Sequence, residues 1–114
     1  YQMMVATTED QNELILENTT TLKVARWWNR ACDIIPCNGG KDIGIQKILD
    51  YFNFNKEEAM AFGDGGNDIS MLKYVGTGVA MGNAKDDVKA IADYITDSVQ
   101  EDGIVSALKH FEIL

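Results

Sequence analysis

The sequence is poor in basic residues, proline, histidine and paired cysteine motifs. Ten lysines and arginines stand against eighteen aspartates and glutamates, a net charge of −8. Nucleic-acid binders usually present a basic patch, so this balance speaks against such a partner. The negative charge serves solubility. An anionic ligand must then be met by a locally concentrated cation, either a lysine or a metal. No apolar run approaches the roughly 20 residues that span a bilayer, so no membrane partner is expected. The opening YQMMVATTEDQ has no basic stretch leading into an apolar one, and no secretory leader is expected from it.

The two cysteines, Cys32 and Cys37, lie outside C-x-x-C spacing, with no second pair or nearby histidine to complete a zinc site. Reduced thiols and a cytoplasmic location follow as expectations. The single histidine, His110, falls in a late amphipathic pattern that suits packing or the surface rather than catalysis.

What is present is an ordered alternation. MMVA (3–6) is a short apolar strand. Thr8 with Gln11 resembles a capping box, with Glu9 and Asp10 favourable in a first turn, so a helix is expected over 8–17. TLKVARWW (21–28) and CDIIP (32–36) read as strands, the second stopped by the only proline and the turn CNGG. From Lys41 the texture changes. Ile45, Ile48, Leu49 and Phe52 mark an amphipathic helix over 41–53. Strands at 58–62, 78–81 and 93–96 then alternate with helices at 67–74, 85–92 and 101–111. Ile69 and Leu72 point inward on the first of these helices, Val88, Ile91 and Ala92 share one side of the second, and Ile104, Leu108 and Phe111 are the buried set of the last. Short apolar strands with brief helical connections predict an α/β fold, a parallel sheet with helices on both faces. Residues 1–36 differ and read as a separate small α+β layer, with a boundary in PCNGG (36–40).

The stretch FGDGGNDISML (62–72) carries the chemistry. Ligands of parallel α/β sheets bind beyond the carboxyl ends of the strands, and Asp64 stands just past such a strand. Gly63, Gly65 and Gly66 allow a sharp turn and close approach to a ligand. Asp68 falls in the first turn of the next helix, so both carboxylates can face one small volume. Two close like charges raise each other's pKa unless a cation lies between them. Magnesium, which takes one or two carboxylates plus phosphate oxygens and water, suits that volume. An acidic loop whose Asp68 serves only the helix N-terminus also fits the spacing. A dinucleotide fingerprint does not, because Asp68 occupies its third glycine position. An EF-hand calcium loop counted from Asp64 would place Ile69 and Val75 where glycine and glutamate belong. Lys41 opens a helix, where the macrodipole disfavours a cation. It therefore suits a bound anion, with a solvated surface lysine as the plainer alternative. Arg26, Trp27 and Trp28 are candidates to line a pocket, although tryptophan on a strand more often belongs to a core.

GDGGNDISML resembles motif IV of the haloacid dehalogenase (HAD) superfamily in the form of its Cof-like sugar-phosphate phosphatases. GGKDIGIQKIL resembles motif III, and GVAMGNAKDDVKAIADYIT and EDGIVSAL resemble the closing segments. The similarity covers about residues 22–113. It implies a HAD-type Rossmann-like core over 37–114, preceded over 1–36 by the tail of an α+β cap domain. It also implies Mg2+-dependent hydrolysis of phosphate monoesters of small metabolites through an aspartyl-phosphate. Lys41 would steady the nucleophile and phosphoryl oxygens, Asp64 would bind Mg2+, Asp68 would support the metal site, and Asn67 would lie near the phosphate. Motif I, of the form DxDG[TS], is absent from these residues, and motif II cannot be placed. The resemblance therefore implies the C-terminal part of a phosphatase, inactive alone, with an exposed sheet edge that pairs with the N-terminal part or another chain. A stand-alone or degenerate domain that binds without catalysis is the alternative.

Overall fold

A computed structural model describes all 114 residues and contains two three-stranded sheets. The first is antiparallel, ordered β1-β3-β2, from β1 (Met3–Val5), β2 (Leu22–Trp28) and β3 (Ala31–Pro36). Strand pairing puts Val5, Arg26 and Cys32 on one face, with Lys23, Ala25, Asp33 and Ile35 on the other. On the first face Cys32 is fully buried. There the Arg26 guanidinium donates to the Thr7 carbonyl at 2.8 Å, the Thr8 carbonyl at 3.1 Å and Asn12 Oδ1 at 2.6 Å. Arg26 thus clamps β2 to the start of α1 (Asn12–Leu16). The helix expected over 8–17 begins as a 3-10 turn, Glu9–Gln11. The Gln11 side chain there accepts the Thr8 N–H at 3.2 Å, as the capping pattern predicts.

The second sheet is parallel, ordered β4-β5-β6, from β4 (Met60–Gly63), β5 (Thr77–Ala80) and β6 (Tyr94–Ile95). α2 (Lys41–Phe52) precedes it. α3 (Ile69–Tyr74), α4 (Asp86–Lys89) and α5 (Gly103–His110) follow its strands in turn. The core joins Ala61 of β4, Leu72 of α3, Ala80 of β5 and Val88 of α4. The α/β alternation expected from the sequence is therefore the architecture, behind an antiparallel region.

Some packing expectations are corrected. Of the α2 stripe, Ile45 packs on the core, whereas Ile48 and Phe52 are 59% and 60% exposed. On α5 the buried positions are Gly103 and Ala107, and Ile104 stays 47% exposed. The sheet is only three strands wide, so α2 and α5 carry apolar residues that have no layer to cover. β4 is an edge strand, paired on one side only. His110 stacks on Tyr94 with ring centroids 4.2 Å apart, a packing role. Both thiols are free, Cys32 buried and Cys37 exposed. No helix is long and apolar enough to cross a membrane.

Candidate functional site

The carboxyl end of β4 runs into a 3-10 turn, Gly66–Asp68, that leads into α3. Asp68 organises this turn. Its Oδ2 accepts the backbone N–H groups of Asp64 and Gly65, each at 3.1 Å. Its Oδ1 accepts a hydrogen bond from Lys41 Nζ, which forms an ion pair with it. The Asp68 side chain is 6% exposed and that of Lys41 51%. Lys41 reaches the turn because Gly40, with φ of 145°, bends the chain at the α2 N-terminus in a way L residues rarely adopt.

Burial pushes the Asp68 carboxyl up. The Lys41 hydrogen bond and the two backbone N–H groups outweigh this and hold it below its ordinary value. A carboxylate with a depressed folded-state pKa stabilises the fold above its unfolded value, near 4. That stabilisation is lost as pH falls through the folded-state pKa. Asp68→Asn should therefore lower the melting temperature at neutral pH. The gap to wild type should narrow as pH falls from the ordinary carboxylate value, about 4, toward the depressed folded-state pKa. Thermal melts of both proteins across acid pH check this, and a gap that widens in acid would contradict it.

Asp64 is placed differently. Its side chain is exposed, and its one hydrogen bond comes from Asn83 Nδ2 at 3.3 Å. Asn83 is held in turn, since its Oδ1 accepts the Val99 N–H at 3.0 Å. Lys85 donates to the Trp27 carbonyl at 3.3 Å. A cavity of about 390 Å3 is lined by Lys41, Asp64, Asn67 and Asp68, with Asn83, Lys85 and Trp27 around them. The structure thus brings all four sequence-predicted site residues to one volume. The antiparallel sheet roofs it. A Cβ on Gly66 would stand 2.9 Å from the Arg26 carbonyl oxygen, so only glycine lets β2 come this close.

Trp27 lines this cavity instead of belonging to a core, and Trp28 is half exposed. The pairing of β2 with β3 shifts register between Arg26 and Trp28, a bulge that turns Trp27 toward the site. Asn83 and Lys85 carry no prediction from the sequence. Their signal was available: they follow β5 at its carboxyl end, the same edge rule that marks Asp64.

The model of the haloacid dehalogenase-like hydrolase family matches residues 2–108. The chain belongs to that family. This HAD-like chain is 42% identical over 106 residues to the putative phosphatase YkrA of Bacillus subtilis, covering 93% of its own length and 41% of YkrA. It is 44% identical over 92 residues to an uncharacterized protein in the pdhA 5' region of Geobacillus stearothermophilus, covering 81% of itself and 97% of that protein. Among solved structures, the HAD subclass IIB sugar phosphatase BT4131 superposes with a TM-score of 0.92 at 46% identity, over 99% of this chain and 44% of that one. The HAD-like chain thus spans about two-fifths of YkrA and of BT4131.

Proposed function

We propose that these residues form the lysine and metal-binding half of a Mg2+-dependent phosphatase. Its substrates are phosphate monoesters of small metabolites such as sugar phosphates. The observation that carries the reading is the contrast between the two aspartates. Asp68 is buried and its oxygens are engaged by Lys41 and two backbone N–H groups, so it positions rather than ligates. Asp64 is exposed at the cavity and makes a single hydrogen bond, so its carboxylate is available to an ion. No third His, Cys, Asp or Glu joins them to enclose a cation. Such a sparse donor set suits magnesium, which keeps waters and takes oxygens from a phosphorylated substrate.

Bound there, Mg2+ would neutralise charge on the phosphoryl oxygens. Lys41 supplies a second positive charge to the same oxygens, steered by Asp68. Asn67 presents its amide to the phosphate. Asn83 orients Asp64. The nucleophilic aspartate, which takes the phosphoryl group as an aspartyl-phosphate, lies outside residues 1–114. So does the acid that protonates the leaving oxygen and then activates water. Residues 1–36 are the tail of the cap and 37–114 belong to the core. The free edge of β4 receives the strand that carries the nucleophile. In keeping with this, a trough of about 370 Å3 is lined by Phe62 of β4 together with Val99 and Ile104 and opens onto Lys41 and Asp64. An unpaired apolar strand edge is a template for another strand.

The full-length gene product should hydrolyse p-nitrophenyl phosphate with Mg2+, lose that activity in EDTA and regain it when Mg2+ is restored. Turnover that survives EDTA, or no turnover with Mg2+, would reject the reading.

A further inference from the structure

A second, larger cavity of about 590 Å3 lies between the antiparallel sheet and the site. Lys41 and Asn67 line both cavities, so the two compartments adjoin at the residues placed on the phosphate. The larger one is walled by the sheet face that carries Lys23 and Asp33. Its volume falls in the range of small-ligand sites, roughly 300–1,000 Å3.

Three of the polar side chains around it, Arg26, Lys41 and Ser70, are already committed. The two terminal nitrogens of Arg26 are spent on Thr7, Thr8 and Asn12, although its buried Nε has no partner; Lys41 is spent on Asp68 and Ser70 on Asp42. Lys23 and Asp33 are the charged side chains of the lining that are not. Both are half-buried, yet neither forms an ion pair, and they sit two residue pairs apart on the same face of neighbouring strands, Lys23 opposite Ile35 and Asp33 opposite Ala25. The Lys23 ammonium lies beside Gly40, 3.7 Å from where a Cβ would stand, next to the root of Lys41. Half-buried charges without protein partners carry an unmet desolvation cost, which a ligand can offset.

We infer that Lys23 and Asp33 are specificity-determining residues, a donor and an acceptor that read the hydroxyls of a neutral polyol leaving group. The inference rests on the phosphatase reading above. The ammonium donates to one hydroxyl and the carboxylate accepts from another. Their charges cancel, so the cavity favours a neutral group. A second phosphate attracted by Lys23 would also face the Asp33 carboxylate. The lining is aliphatic (Val24, Ala25, Ile35, Ile69) and holds no aromatic ring, so a nucleobase finds no stacking surface.

The test compares kcat/KM of the full-length product on a neutral hexose 6-phosphate, a hexose bisphosphate and p-nitrophenyl phosphate. Wild type should prefer the hexose monophosphate to the bisphosphate. Losing a hydrogen bond to a substrate hydroxyl and leaving its partner unmet costs about 10- to 100-fold. Asp33→Asn and Lys23→Gln should each lower the ratio of hexose phosphate to p-nitrophenyl phosphate by about that factor. Asp33→Asn, which removes the negative charge, should also raise the bisphosphate relative to the monophosphate. Unchanged ratios in both variants, or a wild type that prefers the bisphosphate, would overturn the inference while leaving the phosphatase reading in place. Absence of turnover on all three esters overturns the phosphatase reading and this inference with it.

Discussion

Asp64→Ala should abolish most phosphatase activity of the full-length product while leaving its fold nearly untouched. The two effects separate because of where the side chain stands. It is exposed and makes one hydrogen bond at 3.3 Å, so its loss should change stability by no more than about 0.5 kcal/mol. Its proposed work is electrostatic, holding a cation against the transferring phosphoryl group. Removing one such element from a preorganised site lowers kcat by about 100- to 1000-fold. Initial rates and thermal melts of the same preparation check both halves. A folded variant that keeps near-wild-type kcat would remove the metal role from Asp64, and one that unfolds would contradict the small stability effect.

Lys41→Met should lose activity to a similar degree, about 100- to 1000-fold, with a different signature. Lys41 is tied to Asp68, which is nearly buried and holds the turn through the N–H groups of Asp64 and Gly65. Methionine keeps most of the aliphatic stem and removes the ammonium. Asp68 then loses the cation that offsets its burial, and its pKa should rise. Breaking a fully buried pair costs about 3–5 kcal/mol. Lys41 is half in solvent, so the screened cost is smaller, about 1–2 kcal/mol. Melts at neutral pH should show that loss, and it should shrink in acid as Asp68 protonates. A variant that loses activity with no change in stability or in its pH profile would mean that the pair does not position Lys41.

The parallel sheet was legible because its strands are apolar throughout and its helices repeat at helical spacing. Asp64 was legible by its place past a strand, and Asp68 and Lys41 by the motifs around them. The different settings of the two aspartates, one buried and bonded and one exposed, were not. They depend on which carboxylate meets the N–H groups of the turn, and four residues of separation do not fix that. Trp27 was left between pocket and core, because a bulge between Arg26 and Trp28, rather than strand alternation, sets where it lies. Ile48, Phe52 and Ile104 fit their helical stripes, yet stay exposed beside a three-stranded sheet too narrow to cover them. Lys23 and Asp33 gave no signal alone. Only the pairing of β2 with β3 puts them on one face and turns that face toward Lys41.

The most direct measurement is a calorimetric titration of the full-length product with Mg2+, wild type against Asp64→Ala. Wild type should bind one ion and Asp64→Ala should lose measurable binding while melting at the wild-type temperature. Equal Mg2+ affinity in the two proteins would contradict the account.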